Sequence, residues 1–396
     1  MNAAEEVIIA SSPSMNIQCN WDEVSSNGKF WVSCRRPGEK TLHGSLSKPT
    51  SKQQHDGSFI IRDHNSHSIT VECPEAKMTT RFVRPRRVMH LHDKTLLCGD
   101  VSASGGFGVC SSEEGQLWVW DADTGETRRS LEGHVGDVYS CRFFPSGMVV
   151  LSGGADLRLK IWSTLDGSCP RTFVGHSRGI TDIAIIDRGR NIISVSSDGT
   201  AKLWDCGSGS NLATMGSTQW SINTCALGMS GVLPETSSAP PMEPECDTAG
   251  KLLLLACEDG MLRGCDVRNK ETIFSCEVGK TALSSCVFVS DTQALTGSEG
   301  GVIATVDLRN PLTPVKRTSF GTSSVTSLSL LSGNRAISGM SDGNCVVWGL
   351  DESHLTVTKL TGPDVDPITS IRASVGKLFT TCRDSCVRVY ESADVS

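Results

Sequence analysis

The chain has 396 residues, 20% of them charged and 38% apolar, with a net charge of −7, enough for one large β domain and something smaller. No apolar run approaches the ~20 residues that span a bilayer, and the apolar patch at 7–10 follows Glu5 and Glu6 rather than basic residues, so neither a membrane span nor a secretory leader is expected. Seventeen cysteines sit mostly inside strand-like runs such as VYSCRFF, and no Asn-x-Ser/Thr acceptor occurs; together these read as a reduced, intracellular protein whose thiols are small core residues.

Residues 1–14 read as a flexible tail, and 15–84 as a small, mainly β N-terminal domain. Within it KFWVSC alternates in the strand manner, and GSFIIRD and HSITVEC flank the turn at His64, Asn65 and Ser66. Trp21 and Trp31 give it something large to bury, and 45–58 is its loosest loop. RFVRPRRVMHLHD follows, with four arginines that invite a nucleic-acid reading. Charge argues the other way. Residues 1–97 carry +3, whereas 98–396 carry −10, which suits a basic protein partner better than a nucleic acid, or serves solubility alone.

From His92 onward the chain repeats. His134, Ser152, Asp156 and Trp162 recur 42 residues later as His176, Ser194, Asp198 and Trp204, and 42 residues earlier as His92, Cys110, Glu114 and Trp120. Continuing from Trp120, Trp162 and Trp204, the last of these positions falls at Cys265, Val306, Trp348 and Tyr390, with gaps of 42, 42, 61, 41, 42 and 42. The long gap holds the Pro/Ser/Glu-rich stretch 230–250, read as a disordered insertion in the fourth unit.

These units resemble the WD40 repeat, each a four-stranded propeller blade. The expected fold class is therefore all-β: a seven-bladed WD40 β-propeller over 85–396, preceded by the small N-terminal domain. The final CVRVYES is a third strand without a fourth, and 85–91 can supply it, closing the ring and covering an exposed edge. His90, His92 and Asp93 resemble metal ligands, but His92 already has a place in the repeat register. In a blade the Trp indole donates to the Ser hydroxyl, the hydroxyl bonds the His, and the Asp holds the other ring nitrogen, so four buried polar groups satisfy one another. A Ser-His-Asp triad has the same composition, but an active site need not recur every 42 residues. Blades four and five have lost much of the set, with Leu255, Cys265, Gly300 and Val306 at its positions.

No phosphate loop, zinc-spaced cysteine pair or nucleophile elbow is present, so neither catalysis, cofactor nor metal is expected. Binding is left. The loops leading into each blade and the turns between second and third strands gather at one end of a propeller. Reading those positions gives Glu113, Asp137, Arg178, Glu258, Glu299, Asp364, Asp366 and Arg383, six of the eight acidic. This is the expected rim for a basic partner.

LEGHVGDVYSCRFFPSGMVVLSGG, DRGRNIISVSSDGTAKLWDCG, TGPDVDP and TTCRDSCVRVY, with the non-repeat front segment, resemble the family of proteasomal ATPase-associated factors. The resemblance implies a monomeric, non-enzymatic assembly chaperone of the proteasome regulatory particle, cytoplasmic and nuclear. It implies a partner in the C-terminal domain of one base ATPase subunit, held until ring and core particle meet, and restraint of assembled proteasome when the factor is abundant. Two other readings stay open: a substrate receptor of a ubiquitin ligase, and a nuclear scaffold that binds basic tails.

Overall fold

The computed structural model describes residues 10–11, 13–25, 28–47, 55–56, 58–233, 243–332, 334–350 and 356–395. Seven blades, each of four strands in antiparallel order, form the body; five are separate sheets, and two are extended at their outer edge by strands from the front of the chain. Their inner strands are Leu96–Val101, Val138–Phe143, Ile180–Ile185, Ile222–Met229, Leu283–Phe288, Val325–Leu331 and Ile368–Ser374. Each lies against the next, and the seventh lies against the first, so the ring is closed. The second strands are buried on both faces, as in Asn191–Ser196 and Lys251–Cys257, which is why they read as continuous β-branched and leucine runs rather than alternating ones.

All seven inner strands carry a β-bulge after their first residue. A bulge re-aims one side chain, and here that residue reaches the neighbouring blade. Thr181 donates to the carbonyl of Ile222, Asn223 to that of Leu283 at 2.8 Å, Ser284 to that of Val325, and Thr326 to that of Ile368. Four successive blade junctions, from blade three to blade seven, are thus stapled by the same register position. Deeper in the channel wall, Arg372 pairs with Asp100 at 3.1 Å and Arg142 with Asp182 at 3.3 Å. Asp182 also accepts from Ser140, Thr224 and the Cys225 N–H. Burial opposes the Asp182 charge, but Arg142 and these donors hold its carboxyl below the usual range.

The last blade is completed from the other end of the sequence: Arg87–His90 pairs antiparallel with Cys386–Glu391 as its fourth strand. Arg86 extends the junction by donating Nε and Nη2 to the two carboxylate oxygens of Asp394, at 2.7 and 2.9 Å.

The N-terminal segment is not set apart as a small independent domain would be. Ser14–Ile17, Lys29–Arg35 and Leu42–Ser47 form a three-stranded sheet. Phe59–His64, Ser68–Cys73 and Met78–Val83 form a meander whose last strand runs parallel to Thr356–Leu360, the outer strand of blade six. That sheet is therefore continuous across the expected boundary. A single apolar cluster joins Met15, Trp21, Phe30 and Phe82 to Val325, Met340 and Trp348 of blade six. The open outer edge of blade six explains the arrangement, since an unpaired strand edge is satisfied by further pairing. At the junction Lys359 is 4% exposed. Its Nζ donates to Asn16 Oδ1 at 2.7 Å, Ser14 Oγ at 3.1 Å and Asn344 Oδ1 at 3.4 Å. Burial pushes its amine down to about 8, against the pull of Asp342 and Cys34.

Two expectations need correction. The stretch 1–14 is not wholly a tail: Ala10–Ser11 pairs in parallel with Lys316–Ser319, the outer strand of blade five. Within 230–250, residues 234–242 lie outside the described residues, but 243–250 is built into the molecule. Glu245 is buried between Lys270 at 2.8 Å and Arg268 at 3.8 Å, and accepts from Thr248 at 2.6 Å. Opposite charge on the third-to-fourth-strand turn anchors a segment whose composition alone reads as disordered.

Candidate functional site

In blade two His134 sets Nδ1 2.8 Å from Asp156 and Nε2 2.7 Å from Ser152, whose Oγ accepts the Trp162 indole N–H at 2.7 Å. In blade three His176 makes the same contacts with Asp198 and Ser194 at 2.8 and 2.7 Å, and Trp204 donates to Ser194 at 2.8 Å. The proton order is fixed by the acceptors: indole to hydroxyl, hydroxyl to Nε2, Nδ1–H to carboxylate. Burial pushes the His176 imidazole down despite Asp198, keeping it neutral. Burial works against the Asp198 charge too, but Thr200, the Ser177 N–H and His176 hold its carboxyl at about 2. Both serines are 0% exposed. Their hydroxyls are committed, so the sets hold blades together and cannot attack a substrate.

The other blades diverge. In blade one His92 leaves the repeat position and stacks on Trp118, ring centroids 3.5 Å apart, and the buried Trp120 indole meets the Cys110 thiol, a weak acceptor, where blades two and three offer a serine hydroxyl. In blade six Phe320 takes the histidine's place against Trp348, centroids 5.1 Å apart. In blade seven Tyr390 donates instead to the carbonyl of Thr361 at 2.7 Å. Among the described residues no group of three or more His, Cys, Asp and Glu is placed to hold a metal, and all seventeen cysteines are free.

The eight rim residues all fall at one end of the ring. Glu113, Glu258, Glu299 and Arg383 lie in turns between second and third strands; Asp137, Arg178, Asp364 and Asp366 lie in loops leading into inner strands. Glu258, Glu299, Asp364, Arg178 and Arg383 are exposed; Glu113, Asp137 and Asp366 are half-buried. Glu113 is partly neutralised across a blade junction by Arg383, 3.7 Å away. Among the described residues Asp137, Glu258, Glu299, Asp364 and Asp366 form no ion pair, although arginines tie up carboxylates elsewhere, as in Arg372–Asp100 and Arg190–Asp205. Asp137 does accept the Glu114 N–H at 3.3 Å, which ties the two loops together.

A reading confined to charge missed the apolar members of this end. Val135 is 80% exposed, Val365 72%, Trp220 44% and Tyr139 40%. Each lies beside an acidic rim position or on a neighbouring lead-in loop. An acidic field interleaved with exposed aromatic and branched side chains suits a protein surface better than a small ligand, because a few apolar anchors carry most interface energy while charge steers the approach. The signal in the sequence was an unpaired aromatic in a polar loop, as in GSTQWS.

Comparison with known proteins gives one coherent result. The WD domain, G-beta repeat family model matches residues 125–163 and 167–205, which include most of blades two and three. The chain is 41% identical over 392 residues to Proteasomal ATPase-associated factor 1 of Gallus gallus, covering 96% of this chain and 99% of that protein. It is 40% identical over 397 residues to the Homo sapiens protein of that name, with the same coverage. It is 36% identical over 215 residues to the 26S proteasome regulatory subunit RPN14 of Saccharomyces cerevisiae, covering 52% of each chain.

Proposed function

This chain belongs to the proteasomal ATPase-associated factor 1 family, and on that premise we propose that it is a non-enzymatic, proteasome-associated WD-repeat factor that binds one base ATPase subunit through the acidic end of its propeller. The observation that carries the reading is the set of five carboxylates, from four blades, that form no ion pair among the described residues and share one end with exposed apolar residues. Leaving surface carboxylates without internal partners makes them available to a basic face, such as a C-terminal domain of the ATPase. Rim charges act mainly on the association rate and its salt dependence. A factor that holds a subunit during assembly and then departs needs such a surface: fast to engage and displaceable by a competing one.

Single neutralisations are expected to be weak, since exposed charge pairs contribute only ~0.2–1 kcal/mol each. Reversing Asp137, Asp364 and Asp366 together to Lys adds repulsion to lost attraction, and is expected to cost several kcal/mol of affinity for the bound ATPase subunit. The test is capture of individually purified base ATPase subunits by wild type and the triple variant at low and high salt. Unchanged, salt-insensitive capture by a folded variant would remove the interface from this end. Copurification with cullin adaptors, or binding to histone peptides but to no ATPase subunit, would replace the reading altogether.

A further inference from the structure

We infer that the N-terminal sheet builds, with blades six and seven, a pocket at the edge of the acidic end that takes an arginine side chain of the partner; this rests on the acidic end being the docking face. The groove encloses about 280 Å3 between Ile17, Cys19, Trp31, Phe82, Asp364 and Val365. That volume falls short of the ~300–1,000 Å3 of sites for drug-sized ligands and suits a single long side chain. Phe82 and Ile17, 1% and 7% exposed, close its inner end, while Trp31 and Val365 stand exposed at its mouth.

Its chemistry selects a guanidinium. The one amine in the floor, Lys359, already spends its donors on Ser14, Asn16 and Asn344, so the floor offers no free cation for an anionic ligand. Asp342 is likewise engaged, accepting from Ser323 and the Asn344 N–H. Asp364 is the exposed carboxylate of the lining and has no ion pair among the described residues; it lies close enough to Cys19 that its charge, after burial, helps push that thiol up. A planar cation can stack on the Trp31 indole and turn its fork toward the Asp364 carboxylate, a combination for which arginine is better shaped than lysine. Trp31 projects from the outward face of Lys29–Arg35, whose alternate residues Phe30 and Val32 are buried. Its indole is therefore displayed at no cost to the core of the sheet.

The experiment uses the full-length chain and whichever purified base ATPase subunit wild type captures. Trp31→Ala is expected to weaken binding roughly tenfold, and Trp31→Phe, which keeps a π face, to restore most of it. Peptide-resolved alkylation gives a second, local readout: the bound subunit should protect Cys19 while leaving Cys169, Cys206 and Cys246, in loops at the opposite end, at their free rates. If the triple rim reversal weakens capture but Trp31→Ala binds as wild type and Cys19 stays reactive in the complex, the pocket is wrong and the acidic end stands. If the rim reversal has no effect and a distal cysteine is protected, both are wrong.

Discussion

The same substitution in two blades should have unequal consequences. Trp162 and Trp120 are each 1% exposed and occupy equivalent positions, but the Trp162 indole donates to the Ser152 hydroxyl at 2.7 Å while the Trp120 indole meets only the weakly accepting Cys110 thiol. Phenylalanine removes the N–H and part of the ring from both, so the packing loss, about 1–2 kcal/mol, is common to the pair. In blade two the change also deletes a net hydrogen bond of about 1 kcal/mol; in blade one it removes a donor held only by a weak sulfur acceptor, so that little hydrogen-bond energy is lost. Trp162→Phe should therefore be the more destabilising by about 1 kcal/mol, with Trp120→Phe showing the packing loss alone. Urea unfolding followed by far-UV circular dichroism compares the two midpoints. Equal losses would refute the reasoning, because they would mean that ring volume alone sets the stability of these positions.

Other perturbations probe separate parts of the molecule. Lys359 has a folded value of about 8, below the 10.5 of a free lysine; the unfolded chain binds the proton more tightly, so stability should rise as pH climbs from about 8 to 10.5, by roughly 3 kcal/mol in all. Lys359→Met should lack this gain, and thermal midpoints of both proteins across pH 7–10 check it; parallel curves would contradict a buried, charged amine. Glu245→Ala should cost about 3 kcal/mol by stranding Lys270 and Arg268, whereas replacing 234–242 by a short Gly/Ser turn should leave the urea midpoint unchanged. The reverse order of effects would mean that Glu245 is dispensable.

The blades were legible because their chemistry is periodic: four side chains at fixed offsets announce a unit, and the turn glycines mark its corners. Gly199 shows why those glycines resist drift, since φ is +78° and a Cβ there would lie 2.1 Å from the Thr218 carbonyl oxygen. What sequence could not announce were partnerships between distant segments that leave no local pattern. The parallel pairing of Met78–Val83 with Thr356–Leu360 needs only two ordinary strands, and Lys359 reads as a solvated outer-strand residue until the N-terminal sheet covers it. Glu245 and Thr248 sit in a composition typical of disorder, and only the cations of the 267–270 turn reveal why they are held. At the acidic end, charges in turns could be counted from the register, but which carboxylates lacked an internal partner depended on arginines from other blades, as the Arg383–Glu113 contact shows.

Closing the ring with a strand from the front of the chain has a consequence for biosynthesis. Arg86 meets Asp394 across 308 residues of sequence, and the N-terminal strands pair with blades five, six and seven, the last to be made. At about 5–20 residues per second, the first strands emerge from the ribosome tens of seconds before their partners exist. Throughout that interval the strand edges at 78–83 and 87–90 are unpaired, and blades one to four can form only as an open arc. A protein proposed to hold another's subunit during assembly therefore begins life with the same need, its own ends waiting to be held until the last blade arrives.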